Sequence, residues 1–250
     1  MIALWKAEYQ KTRRRYLMLF VLGMSAVVMA WALSGKINED GIRKGWYMLL
    51  YQMPVTNTLM LPVMAMLLSF RLGDLEHKNG MLKQLCCVVD KGKLFDAKLL
   101  YGLGLMFAGI ALQWCAVIAD GFFRHHFGGV FLWKEYLLLL LFTIAPAAAI
   151  YVLQHTLAMC FTKPAAPYVV GIVGEFAGVM SLFLPYRWFS QTIPWGYFGA
   201  LMIVGMEYDK ETRISTYFYR EINWRGFAAI VTITIVIYAT GRIAFCKKEE

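Results

Sequence analysis

Few side chains in this 250-residue sequence have the type and spacing that chemistry needs. His125 and His126 are adjacent and followed by Phe127. Adjacent imidazoles can share a metal, but a metal site needs three or four ligands and no third ligand or carboxylate accompanies them, so they read as a solvated loop pair. The five cysteines (86, 87, 115, 160, 246) are an odd number without C-x-x-C spacing, which points to neither a disulfide framework nor zinc. Cys115 and Cys160 fall inside apolar runs, where a thiol is a small hydrophobe. No G-x-x-x-x-G-K-[ST] is present, so ATP has no phosphate loop on this chain, and H-E-x-x-H and G-x-S-x-G are missing as well. No catalytic residue, metal or cofactor is therefore assigned to the chain itself.

The carrier of these residues is settled by composition. Hydrophobic residues make up 60% and charged residues 16%, whereas a soluble domain has about half and a quarter. Mean hydropathy is +0.54. A soluble chain of this size could not cover such a surplus, and disorder, coiled coil and a disulfide scaffold fail on the same figures. The sequence describes an integral membrane protein with one domain over residues 1–250. Its net charge of +9 reads as the positive-inside bias rather than as a nucleic-acid surface.

A helical span needs about 20 mainly apolar residues. Six stretches qualify or nearly do, at 17–34, 50–70, 99–119, 136–160, 165–184 and 224–245. Trp195–Gly205 is apolar but only 11 residues long, and reads as a re-entrant or interfacial segment. With both termini cytoplasmic, 15 of the 25 basic residues lie inside, among them Lys98, Arg242 and Lys248. The first sixteen residues place Ile2, Trp5, Tyr9, Thr12 and Tyr16 on one helical face, with Lys6, Lys11 and Arg13–Arg15 elsewhere. That is a basic interfacial helix. Ala32-Leu33-Ser34 loosely resembles a signal-peptidase site, but a sixteen-residue n-region carrying aromatics argues for retention.

Polar residues inside the spans are functional candidates by default. Glu175 lies eleventh in the run 165–184, next to the Gly174–Gly178 spacing that suits close helix approach. It is either a subunit-interface or conduit residue, or a protonated carboxyl bonded to a neighbouring helix. In span two, Gln52, Thr56, Asn57 and Thr58 lie between or beside Pro54 and Pro62, which predicts a kink with local solvation. Asn57 suits helix–helix bonding, with lining of a path as the alternative. The 185–223 stretch carries four acids and four bases, and its aromatics Tyr186, Trp188, Phe189, Trp195, Tyr197 and Phe198 suit the outer interface.

The loop 71–98 is too long for a tight turn. Met81, Leu85 and Val88 recur at helical spacing, flanked by Leu82 and Val89, which predicts a short amphipathic helix. Its apolar face either lies on the bilayer surface or docks into a groove on a cytosolic partner.

The arrangement Glu76…Asn79-Gly80…Leu85…Lys98, directly after a proline-bearing second span, resembles the type-2 ABC exporter permeases. The resemblance implies an all-α membrane protein of six transmembrane helices, with an N-terminal interfacial helix, a cytoplasmic coupling helix and a re-entrant extracellular segment. It implies that Glu76, Asn79, Gly80, Leu82, Lys83 and Leu85 meet a separate ATPase subunit, in two copies, which carries ATP and Mg. A second permease, homologous or identical, completes the assembly. The sequence departs from the family at Met81, where Thr is frequent, and at Val88-Val89-Asp90, where Pro is frequent. More narrowly, Gly45-Trp46-Tyr47 leading into Pro54…Asn57…Leu61-Pro62 is similar to lantibiotic immunity permeases. Those expel antimicrobial peptides from the producer's own membrane. The rival readings are a type-2 exporter of another drug, ion or lipid, and a membrane-embedded enzyme or assembly factor without an ATPase. Against the enzyme, Glu175 has no His or Asp partner at helical spacing.

Overall fold

In a bilayer an apolar run satisfies its own backbone only as a helix or within a closed barrel, and the runs here form helices. The computed structural model describes residues 2–13, 16–33, 42–77, 81–161, 165–184, 187–209 and 215–248. In chain order the helices are α1 (Ile2–Arg13), α2 (Leu17–Leu33), α3 (Gly45–His77), α4 (Met81–Val88), α5 (Lys91–Ala119), α6 (Trp133–Cys160) and α7 (Ala165–Phe183). Two short helices follow, α8 (Arg187–Thr192) and α9 (Tyr197–Ala200), then strands β1 (Val204–Tyr208) and β2 (Ser215–Tyr219), and finally α10 (Trp224–Lys247).

Among the described residues, α3, α5, α6, α7 and α10 are each long and apolar enough to cross a membrane. Helix α2 has 17 residues and meets that test only together with α1, from which it is bent by 71°. The first pair is thus a short helix, drawn from a sixteen-residue stretch that carries five bases, turned away from an apolar one. Lys91 Nζ donates to the Lys248 carbonyl at 2.6 Å, so the C-terminal residues lie beside the start of α5. Helix α1 packs there too, which places both ends of the chain at one end of the bundle, hereafter the terminal end.

Helices α3 and α5 overrun their apolar stretches. Helix α3 has 33 residues, about 50 Å of helix, against a hydrocarbon core of about 30 Å. Apolarity marks where lipid is, not where hydrogen bonding stops. Arg71, Leu72, Asp74, Leu75 and Glu76 continue the helix readily, and most of the loop foreseen at 71–98 is helical. The prolines do not break α3 either. Thr58 Oγ1 donates to the Pro54 carbonyl at 2.8 Å and Thr56 Oγ1 to the Gln52 carbonyl at 3.0 Å, covering acceptors near the proline gaps.

Helix α6 runs through the centre, packed against α3, α5, α7 and α10. At the far end, Trp46 is buried among Phe122, Phe127, Phe131 and Tyr136, with ring centroids 4.7–5.8 Å apart. This cluster requires Gly45, since a Cβ there would lie 2.2 Å from the Phe127 ring. Gly45→Ala should cost about 1–3 kcal/mol by overpacking, read as a lower thermal midpoint, and Phe127→Ala in the same chain should recover part of it.

Two expectations are corrected. The fold is mostly helical rather than all-α, because β1 and β2 form an antiparallel hairpin in register Val204↔Tyr219 and Met206↔Tyr217. Thr216, Tyr217, Phe218 and Tyr219 are β-branched or aromatic and suit a pleated surface, a signal masked by reading the stretch for charge alone. The aromatics after α7 also divide. Trp188 is exposed, but Trp195, Tyr197 and Phe198 are core residues at 5%, 1% and 2% exposure rather than an outer belt. Tyr186 lies outside the described residues.

Candidate functional site

Among the described residues, the densest set of interacting charges lies at the terminal end, on the first turns of α5. Asp90 caps the helix, its carboxylate accepting from the Lys93 amide at 3.0 Å, as N-cap residues do. Seven residues beyond the helix start, Lys98 is fully buried. Its Nζ donates to Glu8 Oε2 at 3.0 Å and to the Leu72 carbonyl at 3.4 Å. Glu8 is itself 3% exposed and also pairs with Lys11 at 3.3 Å. One turn along, Thr12 and Tyr101 share a hydroxyl contact of 2.6 Å, and Trp5 meets the Tyr101 ring edge-on at 5.8 Å. The buried face of α1 therefore runs through Glu8 and Thr12. Trp5, Tyr9 and Tyr16, placed on the apolar face by spacing, are 45%, 48% and 68% exposed. Thr12 joins both readings.

Two residues before Lys98, and so on the other side of α5, Asp96 accepts from Arg242 Nε through both oxygens at 3.1 Å. Tyr238 donates to the same carboxylate at 2.8 Å. Under the Lys98 pair sit Tyr151 and His155 of α6, stacked at 6.0 Å, with the Tyr151 hydroxyl and both His155 nitrogens buried. Gly102 passes directly over Tyr151, because a Cβ there would collide with the phenol.

The predicted amphipathic helix is α4, joined to α5 by Val89 and Asp90 alone. Its faces are clear where described. Leu85, Cys86 and Val89 pack against the bundle's own core, while Gln84 and Cys87 are exposed and Val88 is 84% exposed. Asn79 and Gly80 lie outside the described residues, as do the side chains of Glu76, Met81, Leu82 and Lys83.

In α7, Gly174 and Gly178 do take a close approach, from the segment after the helix rather than from another long helix. A Cβ at Gly174 would lie 2.3 Å from the Trp195 indole, and one at Gly178 2.8 Å from the Trp195 Cβ. Trp195 seats there in the middle of a short turn, Pro194–Gly196, which leads into α9. Glu175 lies at the margin between this buried face and the exposed face carrying Ile172, Val173 and Phe176. Both its carboxylate oxygens are buried, and no described group bonds to either. Asn57 is turned into the chain's own interior at 2% exposure, into a narrow pocket shared with Gln113, Trp114, Tyr136 and Thr143. Its Oδ1 and both amide atoms of Gln113 find no hydrogen-bond partner among the described residues.

The histidine pair has a carboxylate after all, contrary to the sequence expectation. A π-helical turn, Asp120–Arg124, extends α5 and brings Asp120 Oδ2 to 3.5 Å from His125 Nε2. His125 stacks on Phe127 at 5.7 Å. On the hairpin, burial and then the Tyr47 hydroxyl push the Tyr219 phenol above its ordinary range.

The sequence marks Lys98 as one of the inside bases and as the last residue of the arrangement that begins at Glu76, and gives Glu8 no such mark. The available signal was that Glu8 is the only acid among five bases in the first sixteen residues. Residues 4–178, well over half of the chain, match the family model described as ABC-2 family transporter protein. The match runs from α1 through Gly178 and so contains the Glu8–Lys98 pair, α4, Asn57 and Glu175. No curated protein matches the chain.

Proposed function

The chain belongs to the ABC-2 transporter family, and from that premise we propose that it is the permease subunit of an ATP-driven exporter whose ATPase is a separate chain. The observation that carries the reading is α4, a helix of eight residues held between two spans with its inner side on the bundle and Val88 turned outward. An exposed apolar side chain on a docked helix is what a partner's groove takes up. The terminal end is then cytoplasmic, as the basic residues there favour. Glu76, Asn79, Gly80, Leu82, Lys83 and Leu85 belong to the same coupling segment, and two ATPase copies carry ATP and Mg.

A second permease, homologous or identical, covers the exposed face of α7. Support comes from Glu175 at the margin of that face, an acid inside a span whose buried carboxyl has no described bond within its own chain. Gly174 and Gly178 hold the re-entrant segment through Trp195 on the opposite face. The substrate class we propose is a lantibiotic-type peptide, expelled outward for self-protection. It is supported by the similarity of Gly45-Trp46-Tyr47, Pro54, Asn57 and Leu61-Pro62 to lantibiotic immunity permeases.

Val88→Glu tests the coupling assignment. At so exposed a position it should cost the chain itself less than about 0.5 kcal/mol. Recovery of a P-loop ATPase with the tagged chain should nevertheless fall at least several-fold. Leu85→Glu is the poorer test, because it also buries a charge in the core. Undiminished ATPase recovery with Val88→Glu would remove α4 from the interface. For the substrate, cells carrying the chain with its co-purifying subunits should survive a lantibiotic better than cells without them. Equal killing, together with export of some other drug or lipid, would retain the exporter and overturn the peptide.

A further inference from the structure

We propose that the first turns of α5 form a transmission hub through which α4 moves the bundle, and that Glu8 and Lys98 are the positioning residues that make α1 follow. The proposal deepens the permease reading and rests on it. Three observations carry it. First, the link is short and stiff. Only Val89 and Asp90 separate α4 from α5, the Asp90 cap fixes the start of α5, and Leu85, Cys86 and Val89 pack on the core. A push on α4 has no slack loop in which to dissipate.

Second, α5 grips different elements on opposite sides. Successive helical residues are about 100° apart, so Asp96 and Lys98 point about 200° from one another. Asp96 holds Arg242 and Tyr238 of α10. Lys98 holds Glu8 of α1 and the last turns of α3 through the Leu72 carbonyl. Lys91 adds a bond to Lys248 just beyond α10. Three elements, α1, α3 and α10, therefore meet on eight residues of α5.

Third, the Glu8–Lys98 contact differs from an ordinary surface pair. Exposed ion pairs form and break with little effect, whereas a buried pair leaves an uncompensated charge whenever it opens. Lys98 is wholly buried and Glu8 nearly so. The Thr12–Tyr101 contact lies on the same face one turn away. Helix α1 cannot slide on α5 without breaking both, so the two travel together. An N-terminal helix that only floated in the interface would have no need of a charged residue turned inward.

The test uses hydrogen–deuterium exchange on the chain in nanodiscs, together with the P-loop ATPase that co-purifies, without and with ATP plus vanadate. The variants are Glu8→Gln and the charge exchange Glu8→Lys/Lys98→Glu. In the wild-type complex, trapping should change exchange in residues 81–98 and in α1 together. In Glu8→Gln the 81–98 response should persist while that of α1 falls by about tenfold. The charge exchange should restore it. A full α1 response in Glu8→Gln, or no α1 response in the wild type, would overturn the hub. Membrane level and thermal midpoint check folding. If Glu8→Gln is lost from the membrane, Thr12→Val, which deletes only the Tyr101 contact, carries the same comparison. Recovery of no ATPase would overturn the permease reading separately. The basal exchange of α1 in the variants would then still show whether the pair binds α1 to α5.

Discussion

Lys98→Met destabilises the chain by about 3–5 kcal/mol, the cost of leaving a buried charge without its partner. The stranded group is Glu8, which is 3% exposed and, among the described residues, keeps Lys11 at 3.3 Å. The Leu72 carbonyl, which also receives a Lys98 hydrogen bond, loses that donor too. Thermal unfolding in detergent reads the effect directly. The double variant Glu8→Leu/Lys98→Met removes both charges and should recover most of the loss, since apolar pairs of similar volume replace buried ion pairs at little cost. If Lys98→Met melts like the wild type, the pair is not desolvated in the membrane. The same measurement on Arg242→Met should give a much smaller change, because that side chain is 41% exposed and its pair is screened.

Gly174→Val is the second large effect. A Cβ at 174 already falls 2.3 Å from the Trp195 indole, a core residue at 5% exposure. The β-branched side chain would drive the indole from its seat, at about 1–3 kcal/mol or more for overpacking. Helix α7 can survive, since valine is at home in a transmembrane helix. The damage should therefore appear in the segment from Pro194 to Val204, as a shift in tryptophan emission and faster proteolysis there. Gly178→Ala should do less, because its closest approach is 2.8 Å. Trp195→Ala combined with Gly174→Val should restore the melting midpoint toward that of Trp195→Ala alone. If Gly174→Val leaves emission and proteolysis unchanged, the segment around Trp195 does not lean on α7 as described.

The long helices were legible because lipid imposes a crude demand, about twenty apolar residues in a row, and among the described residues five helices answer it without help. Their ends were not legible. Nothing in the hydropathy of Arg71–Glu76 or Lys91–Ala97 says whether the backbone stays helical outside the bilayer, and in both places it does. The short helix α4 could be read because Met81, Leu85 and Val88 keep the helical period. Which side would face inward could not, because that depends on the angle at which α3 delivers it. Glu8 illustrates the deeper limit. Its meaning comes from Lys98, 90 residues later, and no local pattern links them. The hairpin went unread for the opposite reason. Its period-two pattern was present at Tyr217 and Tyr219, but the charges around it drew the reading toward a solvated stretch. In the site, the Gly174–Gly178 spacing announced a close neighbour, yet the neighbour proved to be Trp195 of a segment too short to count as a span.

The separation of Glu8 from Lys98 also bears on how the protein is made. A ribosome adds about 5–20 residues per second, so α1 exists for about 5–20 s before the residue that neutralises Glu8 has been synthesised. Through that interval Glu8 has no Lys98 to meet. Helix α1 can dock only after α5 has been delivered. Asp96 waits longer still, since Arg242 comes 146 residues after it. The terminal end therefore closes in order, α1 onto α5 first and α10 last. A nascent chain that inserted α5 the wrong way round would leave Glu8 without Lys98 even after that interval.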